Sequence, residues 1–238
     1  MVRPPVQILR GGCFVLAMLA FPAAALPYAS LQLSPRSVTL SAANPVGQIA
    51  MNSLDARDLI FDLEAVEWTQ QGDADSFSAT NDLVIVPPVY DVRPFRRMLV
   101  RIGLRHKASA EPSERAFQVR FREVLATDSH EQPRILTATV FLAPAERQGD
   151  IRYELQRSGD RAANLAVHNE SNAHLYLNKI RLESAGQEVY AGSPGAYVLA
   201  NNTRTLALQL THALTGSEAQ LTIENDENSS NTVDVPIH

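Results

Sequence analysis

Cysteine is all but missing from this sequence: the one residue of that type among 238 is Cys13, close to the start. The rest of the chain therefore has no disulfide, no thiol nucleophile and no cysteine-built metal site. Tryptophan also occurs once, as Trp68, and the six tyrosines are spread along the chain rather than gathered into an aromatic row. A carbohydrate-binding surface would want such a row or a carboxylate pair. The histidines, at 106, 130, 168, 174, 212 and 238, are scattered, with no pair at helical spacing. Structural zinc has no ligand set here. Gly-x-Ser-x-Gly, a glycine-rich phosphate loop and a calcium loop closed by glutamate are absent as well. The acidic, amide-rich stretch from Glu224 to Asn228 has irregular spacing and reads as a solvated turn rather than a calcium site. Carboxylate pairs such as Asp55 with Asp58, or Glu64 with Glu67, fall where solvated strand faces carry them, and no acid–base role is assigned to them. No catalytic residue, metal or cofactor follows from this sequence; the expectation is a protein that is not an enzyme.

Basic charge is in deficit too. Lys plus Arg number 21 against 26 Asp plus Glu, a net charge of −5. A nucleic-acid partner, which needs a basic face, is not expected. Long apolar runs are missing, the longest being Cys13 to Phe21, preceded by Arg3 and Arg10 and followed by Ala23-Ala24-Ala25. That order is the order of an export signal, and the run is shorter than the roughly 20 residues a membrane span wants. Residues 1–29 are read as a signal peptide cleaved after Ala25 or Ala29, with no stable membrane anchor. Its removal leaves 19 basic and 26 acidic residues, net −7. Such a chain is held together by burial alone.

What is present is strand. Runs rich in Val, Ile, Leu, Thr and aromatics recur from Ser30 onward, separated by Gly, Pro, Asn and Asp at spacings of about 8–12 residues. Phe61 to Trp68, Met98 to Leu104 and Ala116 to Val124 alternate apolar with polar. Residues 145–150, which have no apolar pattern, read as a linker. A second set of strands is expected at 151–156, 164–168, 174–183, 203–210 and 220–224, with turns at 169–172 and 185–187. The fold class is all-β: two antiparallel sandwiches joined by a short hinge, over residues 30–146 and 147–238.

Four segments, in order, carry a family resemblance. Ser30-Leu31-Gln32-Leu33-Ser34-Pro35-Arg36-Ser37-Val38-Thr39-Leu40, Glu64-Ala65-Val66-Glu67-Trp68-Thr69-Gln70, Leu83-Val84-Ile85-Val86-Pro87-Pro88-Val89 followed by Met98-Leu99-Val100-Arg101-Ile102, and Phe117-Gln118-Val119-Arg120-Phe121-Arg122-Glu123-Val124 resemble the first domain of the periplasmic chaperones of chaperone–usher pilus assembly, in particular their archaic branch. The resemblance implies a boomerang of two immunoglobulin-like domains in the periplasm. Its partners are pilin-like subunits that lack a strand, and an outer-membrane usher. The last strand of the first domain would be lent to the subunit by β-augmentation. By this resemblance the donor strand is Arg134 to Leu142, with Ile135, Leu136, Ala138 and Val140 as its apolar members. One face reads Ile135, Thr137, Thr139 and the other Leu136, Ala138, Val140; lending the second would set Leu136 and Val140 against the client. The family's cleft lysine falls at Thr139, so the subunit-carboxylate anchor passes to Arg36, with Arg101 next. Arg101, Glu123 and Asp226 match a structural charge network between the domains. Trp68 is expected in packing, Pro87-Pro88 at an edge turn, and Arg93, Arg96 and Arg97 on a solvated face. A secreted two-domain interaction or adhesive module without strand donation is the other reading of the same pattern.

Overall fold

The computed structural model describes residues 31–106, 112–225 and 229–238. The expected leader, residues 1–29, lies outside them. Among the described residues every regular element is a β-strand.

The first sandwich comprises β1 (Leu31–Ser34), β2 (Ser37–Leu40), β3 (Val46–Ser53), β4 (Leu59–Gln71), β5 (Ala74–Ala79), β6 (Leu83–Val86), β7 (Val89–Val92), β8 (Arg97–Leu104), β9 (Arg115–Glu123) and β10 (Ile135–Leu142). One sheet runs β1-β3-β8-β6 and the other β2-β10-β9-β4-β5, with β7 beside β4. Alternation puts Ile49, Met51, Val100, Ile102, Phe61, Phe117, Phe121 and Val140 between the sheets, all fully buried. Twice the chain changes sheet through a connection of only two residues. It leaves β1 at Ser34, crosses at Pro35-Arg36 and joins β10 as β2; later it leaves β6 and joins β4 as β7 through Pro87-Pro88. Proline suits both crossings because it removes a ladder donor where neither sheet needs one.

The second sandwich comprises β11 (Ile151–Gly159), β12 (Ala162–Asn169), β13 (Leu175–Leu177), β14 (Lys179–Ser184), β15 (Gln187–Gly192), β16 (Ala196–Val198), β17 (Asn202–Gln209), β18 (Glu218–Glu224) and β19 (Ser230–Pro236). Its sheets are β11-β12-β17 and β15-β14-β18-β19, with a small β13-β16 pair. Leu155, Leu165, Val167, Leu177, Leu182 and Leu221 fill the space between. The single strand expected over 174–183 is two strands, because the chain breaks at Asn178, whose N–H turns to the Glu224 carbonyl. The turn at Ala185-Gly186 has positive φ at both residues, 50° and 75°, the geometry of a tight hairpin.

The charge cluster that closes the far end of the first sandwich departs from expectation. Glu123 continues the inward-facing row Phe117, Val119, Phe121, and its partner is Arg134, not Arg101. Arg134 Nε and Nη2 donate to the two Glu123 oxygens, each at 2.7 Å, and Nη1 donates to Asp55 at 2.9 Å. Asp55 is therefore not on a solvated face. Arg101 sits between the buried Val100 and Ile102 on β8, so its side chain leaves the opposite sheet outward, away from Glu123. Hydrogen bonds from Arg134 hold the Glu123 carboxyl below its ordinary range, against the burial that pushes it up. Burial likewise raises the Asp55 carboxyl, but the bonds from Arg134 and Arg57 outweigh it and hold that group low. Both shifts are downward, so this stabilisation is present above the ordinary values of 3.8 and 4.5 and is lost as pH falls below them. Thermal melting from pH 7 to pH 3 is expected to show that acid loss. Glu123→Gln, which leaves part of the Arg134 charge buried without its partner, is expected to cost about 3 to 5 kcal/mol at pH 7 and to flatten the pH dependence.

Candidate functional site

The feature that stands out is an incomplete sheet edge. β10 is paired with β9 along its whole length, from Ile135 opposite Arg122 to Leu142 opposite Arg115. On its other side β2 covers only Thr139 to Leu142. The Glu123 N–H donates to the Arg134 carbonyl, and the Thr139 N–H to the Arg36 carbonyl. Strand alternation then turns the N–H and C=O of Leu136, Ala138 and Val140 toward β9 and those of Ile135 and Thr137 outward. The outward groups of Ile135 and Thr137 have no partner among the described residues. An uncovered edge of this kind is a template for another strand.

Side chains follow the same alternation. Ala138 and Val140 are buried at 1% and 0% exposure and Leu136 packs against that core, whereas Ile135 is 49% exposed and Thr137 lies open. The face Leu136, Ala138, Val140 is thus this protein's own core, and it is not available to a client. Ile135 and Thr137 stand on the outer face of the β10-β9-β4 sheet, in rows with Arg122 and Asp62 and with Arg120 and Glu64.

The two expected carboxylate anchors are separated. Arg36 is exposed and lies where the uncovered edge meets the start of β2. Arg101 leaves the other sheet of the sandwich, a sheet-to-sheet distance of about 10 Å further off, and does not face this edge. Asp226 lies outside the described residues. Glu123 cannot join a network between the domains, because the domains meet at the Arg115 end of β9, about 27 Å along the strand from Glu123.

That junction is built from Trp68, Ala116, Phe141 and Leu199, with Tyr197 against them. Trp68 is 6% exposed and meets Tyr197 edge-on at 5.7 Å, and Phe141 stacks on His174 at 3.6 Å. Polar bonds surround this small core. Gln70 Oε1 accepts from the Leu199 N–H at 2.8 Å and from Asn202 Nδ2 at 3.2 Å, and its Nε2 donates to the Tyr197 carbonyl at 3.1 Å. Asn202 in turn brackets Gly72, accepting from its N–H and donating to its C=O, both at 3.0 Å. Gly72 supplies the φ of +60° that the turn between β4 and β5 needs. Asp73 on the same turn accepts from the Thr205 N–H on the edge of β17 at 2.6 Å. Glu114 accepts the His174 N–H at 2.8 Å and lies 2.7 Å from its ring Nδ1. Packing of Trp68 is expected from the sequence, whereas Gln70, Asn202 and Glu114 give no such signal, since polar residues at strand ends carry no periodicity.

No protein-family model and no curated protein matches the sequence. Solved structures do match. A chain of the CsuC–CsuE complex of chaperone and tip adhesion subunit, from archaic chaperone–usher Csu pili of Acinetobacter baumannii, superposes with a TM-score of 0.60 at 12% identity, over 88% of this chain and 99% of that one. Its fold is that of the pilus chaperones. The E. coli chaperone DraB gives 0.59 at 15% identity over 88% and 97% of the two chains. The complex of SafA pilin with the SafB chaperone from Salmonella enterica gives 0.59 at 13% identity over 87% and 96%. As in those chaperones, two β-sandwiches make up the described residues, and here the Gln70–Asn202 contacts lie where they meet.

Gln70→Ala removes the acceptor of the Leu199 N–H, one acceptor of Asn202 Nδ2, and one of the donors to the Tyr197 carbonyl, which Arg204 still bonds. Denaturant unfolding is expected to show a loss of about 1 to 3 kcal/mol. Unchanged stability would mean that water replaces the amide at no cost.

Proposed function

We propose that this chain is a periplasmic chaperone of the chaperone–usher class, which holds a pilin-like subunit by lending it the uncovered edge of β10 and passes it to an outer-membrane usher. The observation that carries this reading is the half-paired β10. Its outward backbone groups at Ile135 and Thr137 are unsatisfied among the described residues, and the side chains beside them are exposed. A guest strand laid there prolongs the line of β2, which runs parallel to β10 from Ser37. If the guest runs in the same direction, its C-terminus arrives at Arg36, where a carboxylate meets an exposed guanidinium. A subunit that ends in its last strand fits that geometry, and no bond-making chemistry is required. The solved structures with this fold include a chaperone with a pilin and a chaperone with a tip subunit, which agrees with such a client. The export signal read at residues 1–29 supplies the route to the periplasm.

Thr137→Pro separates pairing with a guest from folding, because the Thr137 N–H serves no bond among the described residues whereas that of Ala138 faces β9. Co-purification of the tagged chain with pilin-like subunits of its own cell is expected to yield a one-to-one complex. Thr137→Pro and Ile135→Glu should abolish it and leave the melting temperature nearly unchanged. Arg36→Ala is expected to weaken capture about tenfold or more, the scale of a lost charge-assisted hydrogen bond. Leu136→Glu should instead destabilise the fold. A chain that captures no subunit, or a Thr137→Pro variant that captures as well as the parent, overturns strand lending and favours a plain two-domain interaction module.

A further inference from the structure

The uncovered edge has two ends, and both are set by this chain. Downstream it stops at Thr139, where β2 takes over. Upstream, the next residue whose backbone would face a guest is Pro133, since the outward positions are every second one before Ile135. Proline has no N–H to give. Between them Arg134 is drawn inward: its backbone N–H and its side chain both go to Glu123, its Nη1 goes to Asp55, and the side chain is 8% exposed. The preceding loop makes bonds of its own. Ser129 N–H closes a turn on the Ala126 carbonyl, and Glu131 is held by Arg57 at 3.4 Å. A segment so tied at its start is already in strand conformation before any guest arrives, so less ordering is left to the binding step.

From this geometry we infer that the edge offered to a partner is confined to Ile135–Ala138, that Arg134 is the positioning residue that fixes where it begins, and that the partner it fits is a strand-lacking sandwich that takes one aliphatic side chain, Ile135, and beside it a small hydroxyl side chain, Thr137. This rests on the strand-lending reading. The polar run Asp128 to Gln132 is left outside the guest, so the client groove is filled over a short stretch and not along a full strand. Specificity then depends on a single apolar pocket, and the rows Arg122–Asp62 and Arg120–Glu64 beside it supply charges of both signs.

Amide hydrogen exchange followed by mass spectrometry or NMR tests this in two steps. In the free protein, the Leu136 and Ala138 amides should exchange slowly and those of Ile135 and Thr137 quickly. The double variant Glu123→Gln with Arg134→Gln, which leaves no uncompensated charge between these two, should speed exchange at Leu136 by about tenfold or more. An unchanged Leu136 rate in the folded variant removes Arg134 from its positioning role, whatever the client does. In the co-purified complex with a pilin-like subunit, new protection should appear at Ile135 and Thr137 and nowhere from Ala126 to Gln132. Protection reaching into 128–132 shows a longer lent segment and overturns the inference while leaving strand lending intact. Absence of any complex is a failure of the parent reading, and the free-protein measurement remains decisive for the edge.

Discussion

β10 can satisfy its backbone on one side along only half its length, because the strand that covers that side arrives from the other sheet and begins at Ser37. Much of what is distinctive in the first domain follows from this constraint. Pro35 and Arg36 mark the crossing, and Thr139 is the first residue whose N–H finds a partner there. Upstream of that point the strand keeps its place through β9 alone and through the inward side chains Leu136, Ala138 and Val140. A strand edge left bare in this way is ordinarily a hazard, which proteins blunt with charge, proline or brevity. All three are present: Arg36 at one end, Pro133 at the other, and few open residues between.

The edge is useful only if the strand bearing it is rigid and the space around it has a defined shape. Rigidity comes from the buried Arg134–Glu123–Asp55 cluster at one end of the first sandwich and from the junction with the second sandwich at the other. Buried ion pairs do not always add stability, since desolvation of the charges opposes their attraction, but removing one partner is costly. Here the arrangement ties the start of β10, the end of β9 and the loop before β4 in a single cluster. At the other end Gln70, Asn202 and Asp73 bond the turn of a long hairpin to the second domain, beside the Trp68–Tyr197–Phe141 contacts. The outer face of the β10-β9-β4 sheet is thereby held at a set angle to the second sandwich.

Much of this was legible in the sequence, and the parts that were not share a cause. Alternation in Phe61 to Trp68 and Ala116 to Glu123 gives strands with known inner and outer faces, and Pro87-Pro88 falls at a change of sheet. The same alternation places Glu123 in phase with Phe117, Val119 and Phe121, and Arg134 in phase with Leu136, Ala138 and Val140. Two opposite charges on inward positions of neighbouring strands point to each other, and that signal could have replaced the expected network of Glu123 with Arg101 and Asp226. Its phase also assigns Leu136 and Val140 to the core. What no periodicity carries is which strand covers which edge. The bare stretch of β10 depends on where β2 starts, a long-range fact of topology. The polar contacts between domains rest on single amides such as Gln70, whose partners lie roughly 130 residues away in sequence.

The claim that most needs a direct test is that Ile135 and Thr137, and not the alternate residues, meet the client. Disulfide trapping reads it directly, because Cys13 is the chain's one cysteine and lies in the segment read as a cleaved leader. Single substitutions Ile135→Cys, Leu136→Cys, Thr137→Cys and Ala138→Cys would each be co-expressed with a subunit carrying one cysteine, moved stepwise along its last strand. Cross-links are expected from positions 135 and 137 to alternating subunit positions, and none from 136 and 138. Cross-links from 136 or 138 in folded protein, or none from any position in a captured subunit, would contradict the claim.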